Sequence, residues 1–305
     1  MRSNRRERRG TELGVLLLIS YLINNNDWVP LVTLGTIILQ ILIYLRIITL
    51  PFATKQTCIS GANILFKKKY SLLLTSALQH GDDMHLYYNM TSFTIKGRYL
   101  ENKYGPINFG LLILCLTVLS SSFYIVTAYA LYMFYEEDYT QLMECAVGFS
   151  GVLFALKVII TREKPSESYP ILGLSLPAWS AAWAELVLIS IMVPNASFKG
   201  HLAGILAGLL YTDTPVGSLL DSVFYWISGR KMYHNFRRSL SFGLPFSSSS
   251  SYRSHTYSQR PTGHHTQRQR SGRPPAYGFV FGNQQREDDW GWEHNDWEYE
   301  WDFRR

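Results

Sequence analysis

Apolar residues fill this chain in long, nearly unbroken runs up to about residue 213, beyond which the sequence turns polar. Six segments read as membrane helices, 28–50, 84–100, 106–134, 148–161, 177–194 and 200–212, of which 84–100 is short and polar and would be missed on hydropathy alone. Crossing the hydrocarbon of a bilayer takes roughly 20 apolar residues in a helix. The run 106–134 has no charge and meets that length easily. The run 28–50 meets it with one charge, Arg46, close enough to its end for the long side chain to reach the interface. The three shortest runs, 84–100, 148–161 and 200–212, carry the unusual polar residues. That fits helices shielded from lipid by their neighbours inside a bundle.

An earlier run, 13–23, is too short to cross. It is followed by Asn24-Asn25-Asn26-Asp27 rather than by the small residues of a signal-peptide cleavage site, so it reads as an interfacial or core-packed helix. The predicted organisation is a basic start with this short helix (1–27), a six-helix membrane domain (28–213) and a largely disordered tail (214–305). The expected fold class is therefore an all-α polytopic membrane protein. A mean hydropathy of -0.02 over 305 residues is the average of these unlike parts.

The net charge of +6 sits at the ends and in short loops, which a membrane protein with basic loops on one face explains better than nucleic-acid binding does. With the N-terminus cytosolic, the cytosolic segments collect five arginines in residues 1–9, then Lys96, Arg98 and Lys103, then Lys157, Arg162 and Lys164, then Arg230, Lys231, Arg237 and Arg238. The loop 135–146 has no basic residue and four acidic ones, as a lumenal loop should. Lys67, Lys68 and Lys69 in the first lumenal loop run against the trend. Of three cysteines, Cys115 reads as a packing residue, while Cys58 and Cys145 both fall on the lumenal side, where a bridge between them can form.

In this topology the second, fourth and sixth runs all pass from lumen to cytosol, and His85, Asn89, Ser150 and His201 lie in or near their first turns. At about 1.5 Å of rise per residue the four share one depth in the lumenal leaflet. Ser150 needs a base to become a nucleophile, and His201 is the histidine on the facing run. Gly148, Gly151, Gly204 and Gly208 give two smooth faces for close helix contact. A plainer alternative is that these glycines serve packing only and that Ser150 bonds its own helix backbone. His85 and Asn89, four apart, can offer N–H groups to an oxyanion, or can simply bond between helices. His80 falls in the preceding loop, from which it can reach the site. No short His/Cys ligand spacing supports a metal, and no cofactor is called for. Glu185, in the middle of the fifth run, is either protonated and bonded to a neighbouring helix or faces a water-filled cavity.

These residues resemble the rhomboid family of intramembrane serine proteases over roughly residues 28–212. The resemblance rests on His85-Leu-Tyr-Tyr-Asn89, Gly148-Phe-Ser150-Gly151 and Gly200-His201-Leu-Ala-Gly204-Ile-Leu-Ala-Gly208, with Gly97, Glu101 and Gly105 matching a further pattern. It implies a six-span rhomboid fold, Ser150 as nucleophile, His201 as general base, and His85, Asn89 and the Ser150 amide as oxyanion donors. The stretch from Cys145 through Lys157 is similar to the endoplasmic-reticulum branch of the family, which implies a multi-pass protein of that membrane, both termini cytosolic, with a role in protein quality control. Phe154 stands where the family commonly has a tyrosine stacked on the histidine, and Ser71-Leu72 where it has a Trp-Arg pair.

The tail shows neither a clear ubiquitin-interacting helix nor an Arg-rich ATPase motif. It ends in acids alternating with Trp290, Trp292, Trp297 and Trp301, and Pro274-Pro275-Ala276-Tyr277 fits a WW-domain ligand. The expected partners are the bilayer, single-span and also multi-span membrane substrates, and degradation machinery or a WW-domain protein through the tail. A catalytically silent scaffold for membrane clients is the second reading. A channel or transporter is third, since no inverted repeat or broken helix pair is visible.

Overall fold

The computed structural model describes residues 13–24, 28–49, 58–135, 138–171, 173–193 and 196–236. The arginine-rich start, the Pro-Pro-Ala-Tyr segment and the acidic-aromatic end lie outside these residues, and so does Arg237-Arg238. The described chain is mostly helical, with one hairpin. Its elements are α1 Leu13–Asn24, α2 Leu31–Tyr44, α3 Gly61–Leu65, α4 Leu72–Thr75, α5 Asp83–Tyr104, α6 Pro106–Phe134, α7 Thr140–Met143, α8 Ser150–Glu163, α9 Ala178–Met192, α10 Phe198–Asp213 and α11 Pro215–Ser228. Among them α6 alone is both long and apolar enough to cross a membrane unaided.

The helix ends follow local chemistry. Pro30 stands at the start of α2, and Arg46, with φ 60, turns the chain left-handed after its end, so α2 is shorter than the run 28–50. Asp82 caps α5 by accepting the His85 amide at 2.7 Å. Gly105 (φ 86) ends α5, and Pro106 opens α6. Phe93 stacks on Phe109 at 6.1 Å and meets the edge of Phe149 at 5.1 Å, joining α5, α6 and the lead-in to α8 in the main core.

Helix α1 is core-packed. Leu18 is fully buried, and the Gly14 amide donates to the Asp83 carboxylate at 2.8 Å. A Cβ at residue 14 would stand 2.4 Å from the Asp83 carbonyl oxygen, so the backbones touch there. At the other end of α5, Glu101 accepts from the Val32 and Thr33 amides, both at 2.8 Å, and from the Thr33 hydroxyl at 2.7 Å. A carboxylate on the free amides of a helix start is favourable on hydrogen-bonding and dipole grounds alike. Glu101→Ala strands those buried donors and is expected to cost about 3 kcal/mol. Thermal unfolding in detergent checks this, and an unchanged midpoint would contradict it.

Two expectations are corrected. The fold is not purely helical: β1 Ser168–Ile171 and β2 Leu174–Pro177 form an antiparallel hairpin, turning at Gly173 (φ 75). The segment 215–236 is ordered rather than disordered tail. The Thr214 hydroxyl caps Val216, Pro215 opens α11 and left-handed Gly229 closes it. Leu220 and Phe224 sit one turn apart and pack on the main core. The polar composition of residues 214–305 as a whole masked this amphipathic stretch.

Candidate active site

The site is assembled where three helices begin. Before α8 the chain runs extended, with Ala146 paired to Ile59 through backbone bonds of 2.9 and 2.8 Å. A Cys58–Cys145 disulfide, with Cα atoms 5.4 Å apart, sits beside that pair. The Gly148 amide then donates to the Ser76 carbonyl at 3.1 Å, and Gly148 takes φ 118, turning the chain so that Ser150 opens α8. Replacing both cysteines by serine frees this loop pair and is expected to cost about 2–4 kcal/mol. The reduced wild type should show the same lowered unfolding midpoint; an insensitive midpoint would contradict the bridge.

On the facing helix, the Ser197 hydroxyl caps α10 at the Gly200 amide, 3.2 Å away, and His201 falls in the first turn. Helices α8 and α10 meet backbone to backbone. A Cβ on Gly204 would lie 2.1 Å from the Gly151 carbonyl oxygen, and one on Gly208 would lie 2.9 Å from that of Ala155. This closeness lets a short side chain reach the imidazole: His201 Nε2 and Ser150 Oγ are 3.0 Å apart. The Phe154 ring, one turn after Ser150, lies against His201 with centroids 4.7 Å apart and planes tilted by 30°. Gly151, Gly204 and Gly208 of the predicted glycine contact lie between these two helices and Ser150 faces His201, whereas Gly148 precedes α8 and lies against His85 and Asn89 instead.

His201 is buried, and its Nδ1 has no hydrogen-bond partner among the described residues. An imidazole that accepts at Nε2 carries its own proton on Nδ1. Among the described residues no carboxylate bonds the ring, which is held by Phe154 and the packed helix. The arrangement is a two-membered one.

His85 and Asn89 come from the first two turns of α5 and converge on Gly148. A Cβ at 148 would meet His85 Cε1 at 2.7 Å, His85 Nε2 at 2.8 Å and Asn89 Nδ2 at 3.7 Å. Asn89 Nδ2 is buried without a partner, so its N–H groups remain for a bound group to occupy. The cleft alongside measures about 50 Å³ and is lined by Ser150, Gly148, Ser76, Ser120, Tyr124 and Ser197 among others. His80 lies in the loop and packs its ring on His85, 5.1 Å away, rather than on Ser150.

Burial of His80, with the neighbouring His85 adding to it, pushes its pKa from 6.5 down to about 3. The unfolded chain therefore takes up this proton first, and stability falls as pH drops through about 6.5 towards 3. His80→Gln should flatten the decline in unfolding midpoint between about pH 7 and 5; an unaltered slope would count against this.

Of the two roles left open for Glu185, the bond to a neighbouring helix is the one present, made as an ion pair: its carboxylate meets the Lys157 ammonium of α8 at 3.0 Å. Sequence reasoning missed Lys199, which bridges from α10 to Glu144 at 2.5 Å and to the Gln141 carbonyl at 3.2 Å, tying the loop 138–146 to the histidine helix. No spacing signal marks that contact.

Residues 67–216 match the Rhomboid domain family model. Rhomboid-related protein 4 of Homo sapiens is 39% identical over 241 residues, covering 75% of this chain and 74% of that one. The chain belongs to the rhomboid family. Rhomboid-related protein 4 of Mus musculus is 40% identical over 223 residues, with 71% and 68% covered. Rhomboid-like protein 14, mitochondrial, of Arabidopsis thaliana is 38% identical over 190 residues, with 60% and 56% covered. Family membership makes this a membrane protein. As a rhomboid, it carries its Ser-His contact inside the matched residues, and Phe154 keeps the ring stack on the histidine without a hydroxyl.

Proposed function

We propose that this rhomboid is an intramembrane serine endopeptidase. The observation that carries the reading is the 3.0 Å contact between a hydroxyl and an imidazole on two helices whose glycines bring them together. His201 accepts the Ser150 proton as Oγ attacks the scissile carbonyl, then gives it to the leaving amine. Ser150, as the first residue of α8, has an amide with no intrahelical acceptor. That amide, Asn89 Nδ2 and a His85 ring N–H supply the oxyanion donors. Water then releases the acyl-enzyme.

In this reading the helices α2, α5, α6, α8, α9 and α10 are the six crossings, and the site opens near the lumenal surface with α11 on the cytosolic side. The acidic loop 135–146, the basic residues of the opposite face and a disulfide beside the site all favour an oxidising lumen, and the endoplasmic reticulum is the proposed membrane. Substrates are single-span, and also multi-span, membrane proteins. Those with Gly- or polar-rich helix segments unwind most readily, because lipid offers nothing to an opened backbone. The proposed role is membrane-protein quality control.

The test is to reconstitute the full chain in liposomes with a single-span reporter carrying such a segment, and to map products by mass spectrometry. A cut within or beside the reporter helix is expected. A reporter bound but left intact would favour the silent scaffold instead.

A further inference from the structure

The three site-bearing helices meet again at their opposite ends. Helix α5 ends in Lys103 and Tyr104, α8 ends in Glu163, and α10 carries Tyr211 in its last turn. Glu163 is almost wholly buried and is surrounded by donors. Tyr104 donates its hydroxyl at 2.7 Å, the Asn235 amide donates at 2.9 Å, and the Lys103 ammonium bonds the second oxygen. The centre of the cluster is His234, from the segment that follows α11. Its Nδ1 lies 2.9 Å from Glu163, and its Nε2 lies 2.9 Å from Asp221 of α11. Asp221 also accepts the Tyr211 hydroxyl at 2.6 Å. The ring is packed against Phe236 at 4.7 Å and Tyr104 at 5.0 Å.

One imidazole therefore joins all three helices that supply the candidate site. It bonds a carboxylate of α8 directly; through Asp221 it reaches α10, and through Glu163 it reaches α5. The charged and titratable groups facing it are Glu163, Asp221, Lys103, Tyr104 and Tyr211. A fully satisfied buried network of this kind fixes one arrangement of its elements. Helices are stiff, so fixing their far ends sets the register of their near ends. At about 1.5 Å per residue the hub lies roughly 15–28 Å from the site residues along the respective helices.

We propose that His234 is a positioning residue for the site. From beyond the sixth predicted span, it locks α5, α8 and α10 in the register that brings Ser150, His201 and Asn89 together. The segment 215–236 is then a working part of the enzyme and not a tether. The inference rests on the protease reading, since what it positions is that dyad. A misplacement of about 1 Å remote from the chemistry can cost about 10²-fold in rate.

The experiment uses the full chain in lipid and compares wild type with His234→Ala and His234→Gln, the latter keeping one donor towards Glu163. Active sites are titrated with a fluorophosphonate, so that misfolded protein drops out of the count. Expected is a fall of about tenfold in kcat per titrated site for His234→Ala, with KM within about twofold and partial recovery in His234→Gln. Amide hydrogen exchange should speed up in 148–154 and 200–204 as well as in 215–236. Unchanged kcat per site, or exchange altered only within 215–236, would make His234 a local anchor and overturn the proposal. If His234→Ala does not fold, His234→Gln carries both measurements with the same criteria. A wild type that cuts no reporter sinks the protease reading, and exchange at 148–154 and 200–204 then decides the hub alone.

Discussion

Ser150→Ala abolishes cleavage of a single-span reporter, and His201→Ala does the same, each lowering kcat by on the order of 10³-fold or more. The double variant is expected to lose no more than either single one, because a nucleophile and its base act as a unit. Ser150→Ala should keep the wild-type stability to within about 1 kcal/mol, since it removes one hydroxyl, whereas the variants without the buried His201 ring also lose its packing on Phe154 and should be less stable. Cleavage assays with matched folded protein check the prediction. Residual activity above about a tenth of wild type in Ser150→Ala would remove Ser150 from the reaction. Asn89→Ala belongs to the same series, with a smaller loss, about 10²-fold, because it withdraws one donor.

The second large effect concerns the fold that brings the dyad together. Gly204→Val adds a branched side chain where even a Cβ would stand 2.1 Å from the Gly151 carbonyl oxygen. Helices α8 and α10 must then separate, at a cost of about 3 kcal/mol or more. Two atoms 3.0 Å apart across that interface part with them, so activity disappears even in the molecules that stay folded. Gly35, in α2, is the control: nothing lies within 4 Å of its added Cβ, and Gly35→Ala should stabilise by up to about 1 kcal/mol. Thermal midpoints in detergent, read beside cleavage, separate the two cases. A Gly204→Val variant as stable and active as wild type would mean that the close helix contact is not needed.

Much of the site is legible in the sequence. The motifs around His85, Ser150 and His201 place one polar group per helix start, and the small residues at 151, 204 and 208 announce close backbone contact. Short motifs and the spacing of small residues carry that much. They do not carry hydrogen bonds between residues remote in sequence. Glu101 on the Thr33 amide, Lys199 on Glu144 and His234 between two carboxylates each join segments tens of residues apart, and nothing local marks them. Helix α11 is legible in its own residues, though not in the composition of the region around it. Leu219, Leu220, Val223, Phe224 and Ile227 follow a helical spacing between Pro215 and Gly229, inside a region read by its average composition. The β hairpin was not legible, because Ser168–Ile171 and Leu174–Pro177 are too short for a pattern. Glu185 shows the same limit: its partner, Lys157, is on another helix.

The central claim is that Ser150 is a nucleophile activated by His201. The most direct measurement is mass-spectrometric mapping of a fluorophosphonate adduct on the lipid-reconstituted chain. Ser76, Ser120 and Ser197 line the same cleft and serve as internal controls. The expected result is one adduct, on Ser150, that is lost in His201→Ala. An adduct on one of the other serines, or labelling of Ser150 that persists without His201, would contradict the account.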